Sequence, residues 1–365
     1  MNRLTAIGLA SLVAYGVLIA SKYTGVVSAA RDDRAGVPSA LQGSLAAPAV
    51  VGVHPASRPP LLASLSPVPR AEQMRASPAA LEFRAARDLK AFADELGSRR
   101  ASLTPDERYY LARALEECQF ATTINEDLAA YSAKQRRQFL ASLTPGDAVN
   151  NRRIAAYDAA DNTQRCLRFQ GTRVSQREID ELYAAAAQEG DARAQARLVI
   201  ADLNAKLNSA SRTAAEPTST PSVAARSMDN ADFSRLIGLL ETRDPEAIMQ
   251  VGTFLSNSAV ASQLRVGPNG EQPEQSAFLG AFTLVVCDFA PDCVNMLHER
   301  EQACAYGGYC NAASFEEIYQ NYLASPWTYN TANRYRDFIH TAINSHNWAL
   351  IGLVPPRAST AAPSQ

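Results

Sequence analysis

The sequence predicts an all-α protein, with antiparallel helix pairs stacked as an irregular helical-repeat array and a disulfide-linked C-terminal helical cap. Three observations carry that expectation. β-branched residues do not alternate with polar ones over any useful run, so strand signals are nearly absent. Apolar residues recur at helical spacing behind residues that cap helices. And the stretch Leu182 to Leu203, LYAAAAQEGDARAQARLVIADL, reads as an alanine-rich helix, a break at Gly190-Asp191 and a second helix that restarts at once.

That joint follows from local chemistry. Asp191 can accept hydrogen bonds from the free amides of the helix it opens, and its charge suits the positive end of that helix. Gly190 can take the left-handed conformation that ends the helix before it. Ala184, Ala187, Ala192 and Ala194 are small, so two helix backbones can approach closely where they turn. Similar openings occur at Thr104, Asp147 and Asp244, giving four starts separated by 43, 44 and 53 residues. At seven, eight and ten residues beyond them lie Leu111, Ala112 and Ala114; Ile154, Ala155 and Tyr157; Leu198, Val199 and Ala201; and Val251, Gly252 and Phe254. Periods of this size mark stacked helix pairs, which need about three or more units to bury a common core. An irregular helical bundle is the competing topology.

QEGDARAQARL at 188–198 resembles the junction of Sel-one-like repeats, relatives of the tetratricopeptide repeats, and RDPEAIMQVG at 243–252 resembles the same junction. The likeness covers mainly residues 182–255 and departs from the family at Val199, where a glycine would stand. It implies a protein-interaction scaffold without intrinsic catalysis and supplies no catalytic residues.

Taken in order, residues 1–30 hold an uncharged apolar run, Leu4–Ala20, behind Arg3. As a helix it would span roughly 25 Å, close to the ~30 Å hydrocarbon core, with Lys22 and Tyr23 as interfacial anchors. An uncleaved inner-membrane anchor is favoured over a cleavable signal ending at Val27-Ser28-Ala29, because that site lies far beyond the run. Either way the remainder is expected in a bacterial periplasm, tethered or released. No cysteine lies near this segment, which excludes lipoprotein processing. Residues 31–78 are rich in Pro, Ala and Ser and read as a disordered tether holding His54. A first helical-repeat part is expected at 79–207, where Leu81, Ala85, Leu89, Phe92 and Leu96 share one helix face closed by Gly97. Capping boxes are expected at Thr104/Glu107, Ser175/Glu178 and Ser314/Glu317. The Ser/Thr/Pro-rich segment 208–229 reads as an inserted disordered loop, 230–275 as a further repeat, 276–352 as a Cys-rich cap and 353–365 as a disordered tail.

Six cysteines beyond an export segment point to disulfides. Cys118 lies fourteen residues after Thr104 and Cys166 nineteen after Asp147, so stacked units would bring them together. Cys287, Cys293, Cys304 and Cys310 allow three pairings. Cys287 with Cys304 and Cys293 with Cys310 is favoured, as a clamp on successive short helices, with two local loops as the rival. Zinc is disfavoured because the C-x5-C spacing is not a common zinc spacing, although His298 sits between the two elements. No cofactor is expected.

Net charge is −2 with 20% charged residues, so no strong field draws the chain to nucleic acid. The pairs Arg136-Arg137 and Arg152-Arg153 read as solvated helix faces. His298, His340 and His346 stand in no metal-protease pattern, and no nucleophile elbow or phosphate loop is present. The acidic pairs Asp288 with Asp292 and Glu316 with Glu317 keep open a cell-wall glycan-acting enzyme. The aromatic residues Tyr319, Tyr322, Trp327, Tyr335, Phe338 and Trp348 read as core of the last helices. The leading expectation is a membrane-tethered periplasmic scaffold that binds another envelope protein or peptide; a self-associating structural protein is the third reading.

Overall fold

A computed structural model describes residues 76–124, 127–213, 228–290, 293 and 296–354. The apolar run Leu4–Ala20, most of the expected tether, the centre of the expected insert, Asp292 and the tail from 355 lie outside the described residues. The described residues are all-α, with one isolated bridge between Val266 and Glu271.

Capping chemistry sets the helix starts. Helix α1, Pro78–Ala85, is opened by Ser77, whose Oγ accepts from the Ala80 amide. Asp88 then accepts from the amides of Lys90 and Ala91 and opens α2, Leu89–Ser98. The single face expected from Leu81 to Leu96 is therefore broken: Asp88 starts a new helix, Leu81 is left 53% exposed, and Phe83 is the residue buried. Helix α3, Pro105–Glu117, has the reciprocal capping box, with Thr104 Oγ1 accepting from Glu107 N and Glu107 Oε2 accepting from Thr104 N. At the two other expected boxes only half forms. Ser175 and Ser314 accept from Glu178 and Glu317, but Glu178 pairs with Arg100 and Glu317 accepts from the Ala313 amide instead.

Four short or middle-length helices follow: α4 (Gln119–Thr123), α5 (Leu128–Ser142), α6 (Asn150–Ala160) and α7 (Asn162–Cys166). Then come α8 (Gln176–Gln188) and α9 (Ala192–Thr213), joined as expected at Gly190, which has φ +96°, and Asp191. Helix α9 runs past the expected loop boundary at 208. Helices α10 (Asn230–Glu241), α11 (Pro245–Leu255), α12 (Ser258–Ala261), α13 (Gln275–Phe289), α14 (Leu297–Gly307) and α15 (Phe315–Ile318) lead through a π-helical turn, Tyr319–Leu323, into α16 (Pro326–Ser345).

The long helices pack in succession: α2 on α3, α3 on α8, α8 on α9, α9 on α11, α11 on α13 and α13 on α16. Two apolar cores result. One gathers residues from Ala79 to Ala194 and the other residues from Ala196 to Leu353, so α9 passes from one core to the other within its first turn and a half. The expected stacking of the helices after Thr104 and Asp147 does not occur. Asp147 caps no helix directly; its carboxylate accepts from the Val149 amide, and α6 packs on α14 instead of α3. Phe139, Tyr157 and Ala305 form a third, small apolar cluster there. The offset pattern read from the sequence is buried after Thr104 and Asp244, but Leu198 is 38% exposed. Small residues decide the closest helix approach: a Cβ on Gly252 of α11 would lie 2.3 Å from Cγ of Phe282 on α13.

Candidate functional site

The N-terminal turns of α3, α9 and α11 converge beside the Gly190-Asp191 joint and bring together side chains far apart in sequence. Asp191 accepts from the amides of Arg193 and Ala194, which starts α9 and aims the Arg193 guanidinium back across α3. That guanidinium lies over the rings of Tyr109 and Tyr110, 4.7 and 5.0 Å from their centroids. It donates to Asp106 Oδ1 at 2.5 Å and pairs with Asp191. From α11, Glu246 accepts from Tyr109 Oη at 2.7 Å, from Tyr110 Oη at 3.3 Å and from Arg113. A second rank extends along α3: Glu116 accepts from Tyr183 Oη at 2.9 Å and pairs with Arg197, and Glu117 pairs with Arg165 at 2.9 Å.

The electrostatics follow from this crowding. Burial opposes ionisation of Glu246, but the Arg113 charge, the Tyr109 hydroxyl and the Arg193 and Arg84 charges outweigh it and hold its carboxyl below the usual range. Burial and the Glu246 charge push the Tyr109 phenol far up, so it stays a donor. Asp244, which opens α11, is pushed up to about 6, chiefly by burial. On α14, burial raises Glu299 to about 7 against the opposing charge of Arg113, and Glu299 Oε2 is buried with no hydrogen-bond partner. Burial also pushes the neighbouring His298 imidazole down. Separately, a cavity of about 300 Å³ between α2, α3 and α8 has Phe169, Leu111 and Leu115 in its lining. The rim charges Lys90 and Arg100 are already paired with Asp94 and Glu178.

The cysteines form three bonds. Cys118 is joined to Cys166, with Cα atoms 5.1 Å apart. Cys118 ends α3, the helix opened by Thr104, as the stacked-unit reading expects, but Cys166 ends the separate helix α7 after a break at Asp161. The crossed pairing favoured for the other four is replaced by local bonds, Cys287 with Cys293 and Cys304 with Cys310. The reason is chain reversal at helix ends. Cys293 has φ +52°, and Gly308, with φ +77°, turns the chain so that Cys310 folds back on the last turn of α14.

The carboxylates singled out as acidic pairs serve other partners. Asp288 accepts from Arg336 and lies 2.7 Å from His340 Nε2, and Glu316 accepts from Arg336 and from Tyr329 Oη. The two therefore meet around one guanidinium. His298 lies 2.9 Å from Gln302, and His346 pairs with Glu241 at 3.0 Å, so the three histidines occupy separate surroundings. Of the C-terminal aromatics, Tyr319, Tyr335 and Trp348 are buried, whereas Tyr322 is 46% and Trp327 63% exposed. Tyr322 stacks on Tyr309 with ring centroids 3.6 Å apart.

Sequence reasoning missed Glu246, Arg113, Arg193 and the Tyr109-Tyr110 pair. Their only signal was an Arg and a Glu in the first turns of helices with clear caps. Comparison with family models, with curated proteins and with solved structures finds no match for this chain.

Proposed function

We propose that the helical head is a scaffold that binds another protein, and that the C-terminal cap presents the contact surface. The observation that carries this reading is the pair Trp327, 63% exposed, and Tyr322, 46% exposed with one face on Tyr309, on either side of the Ala324-Ser325 junction while the neighbouring Tyr319 and Tyr335 are buried. Tyr and Trp offer large, stiff, amphipathic area and dominate the binding energy of protein interfaces. Covering the free surface of Trp327 would be worth about 3 kcal/mol at ~25 cal/mol per Å². The apolar run Leu4–Ala20 supports placing this scaffold on a membrane, with the head in an oxidising compartment. Among the described residues no helix is long and apolar enough to cross a membrane.

The enzyme reading has one observation in its favour: Glu299 Oε2 is buried without a hydrogen-bond partner, an environment that keeps a carboxyl protonated as a general acid must be. Photo-crosslinking from positions 322, 327 and, as a control, the exposed Arg177 separates the readings. A discrete heterologous adduct from 322 and 327 but not from 177 is expected. Adducts only with a second copy would favour a self-associating structural protein. No adduct, together with glycan turnover abolished by Glu299→Gln, would favour the enzyme.

A further inference from the structure

The chain between Cys118 and Cys166 leaves the run of long helices and returns to it, carrying α5 and α6 outward. We propose that α5 and α6 form a redox-gated flap, with the Cys118–Cys166 bond as its permanent hinge and the Cys304–Cys310 bond as its releasable clasp. This inference does not rest on the binding surface proposed above, although Tyr309 of the clasp stacks on Tyr322 of that surface.

The hinge is closed to chemistry. Cys118 and Cys166 are both 0% exposed within the first core. Arg165, beside Cys166, ties the base of the excursion down by donating to the carbonyl oxygens of Phe83 at 2.7 Å and Ala86 at 3.0 Å and to Glu117. The clasp is open to chemistry. Cys304 and Cys310 are both partly exposed, and Cys304 Sγ lies 3.6 Å from the Arg152 carbonyl oxygen on α6. The bond holds Cys310 and Asn311 against the end of α14, where Arg152 donates to the Cys310 carbonyl at 2.5 Å and to Asn311 Oδ1. Arg153 adds donors to the carbonyl oxygens of Ala305 and Tyr306 at 2.8 and 3.3 Å. The apolar contact beneath is small: Phe139 stacks on Tyr157 at 4.2 Å, and Tyr306 meets both edge-on. The flap is thus held at its far end by two arginines whose acceptors cluster on and beside one seven-residue disulfide loop. The remaining bond, Cys287–Cys293, sits against the second core, with Cys293 8% exposed.

Thiol–disulfide exchange requires a thiolate to reach a sulfur, so accessibility orders the three bonds. A dithiol is the co-reactant. One of its thiolates attacks a sulfur of the Cys304–Cys310 bond, forming a mixed disulfide and expelling the other cysteine as a thiolate. The second thiol of the reagent, as its thiolate, displaces the bound cysteine. Two electrons pass to the protein, the reagent ends as a disulfide, and both cysteines take up protons. Cys310 and Asn311 are then no longer fixed under Arg152, and Tyr309 loses its fixed place on Tyr322. Release of the flap uncovers Phe139 and Tyr157, now 6% and 7% exposed, by parting them from Tyr306.

The test titrates the oxidised full-length protein with dithiothreitol, alkylates it, maps the peptides and measures amide exchange. Cys304 and Cys310 are expected to label at a dithiol concentration at least about tenfold below that for Cys118 and Cys166. Exchange in 150–160 is expected to rise about tenfold, the size set by losing charge-assisted hydrogen bonds, while 105–117 stays unchanged. Arg152→Ala, which keeps every disulfide, is expected to raise exchange in 150–160 in the oxidised protein. Labelling of Cys118 and Cys166 at the same dithiol concentration as Cys304 and Cys310 would overturn the proposal. So would unchanged exchange in 150–160 after the clasp opens, or in the Arg152→Ala protein.

Discussion

The two large cores are held together by different forces. The first, from Ala79 to Ala194, is laced with buried tyrosines and ion pairs: Arg113 with Glu246, Arg193 with Asp106 and Asp191, Arg197 with Glu116, and Arg165 with Glu117. The second is mainly apolar. Its central helix α13 buries Ala277, Phe278, Gly280, Ala281, Phe282, Leu284, Val285, Val286 and Phe289, so that helix is apolar almost all round, as a helix with protein on every side must be. Side chains of the first core are positioned largely by direction-dependent contacts, those of the second mainly by shape. The two meet at Glu246, which belongs to α11 of the second core but is hydrogen-bonded by three side chains of α3 in the first.

The sharpest way to break this contrast is to remove one residue of each kind. Glu246→Ala leaves Arg113 enclosed without its partner, and Phe282→Ala empties the centre of the second core. Each is expected to cost about 3–5 kcal/mol. The difference lies in cooperativity. Calorimetry should show two transitions for Glu246→Ala, because the link between the cores is gone, and one lowered transition for Phe282→Ala. A single transition for Glu246→Ala would mean that apolar packing along α9 couples the cores unaided.

Shape in the second core can be probed by adding one methyl group. Gly252→Ala is expected to destabilise by about 1–3 kcal/mol in a denaturant titration, although alanine is the better helix former. Gly238→Ala on α10 has open space around the new methyl and is expected to stabilise by up to about 1 kcal/mol. Equal effects at the two positions would show that the α11–α13 approach is not tight.

A further effect, seen only as pH rises, concerns charge. Glu299 has a folded-state pKa of about 7, above its ordinary 4.5, so its contribution is fully present below pH 4.5 and is lost as pH rises to about 7. Glu299→Gln keeps the shape without the charge. It should match the parent near pH 4.5 and exceed it at pH 8 by about 3 kcal/mol in denaturant midpoint measurements. No gain at pH 8 would show that a counter-charge reaches Glu299.

What could be read from the sequence was what local chemistry decides. The helix starts at Thr104, Asp191 and Asp244 are legible because a cap needs only a side chain and the amides two or three residues on. Gly190 is legible because a helix that must reverse needs a left-handed residue. The same rule, applied to Gly307-Gly308, would have favoured the local Cys304–Cys310 loop over the crossed pairing. The Cys118–Cys166 bond is a different lesson. Stacking of equal units pointed to these two residues, yet they meet because an excursion returns to its starting point. Nothing local marks Glu246 as the partner of Tyr109, since their contact spans 137 residues and depends on how α9 turns α11 toward α3.

The bond between Cys118 and Cys166, 48 positions apart, also makes the stretch it spans a covalent ring. A protease that cuts once inside that ring opens it without freeing a fragment. The cleaved molecule keeps its mass until the bond is reduced, and it keeps both ends of the cut chain anchored on α3 and α7. Exposed positions in α5 and α6 are thereby places where this protein tolerates a nick, or an inserted peptide, at little cost to the helices that carry the two cores.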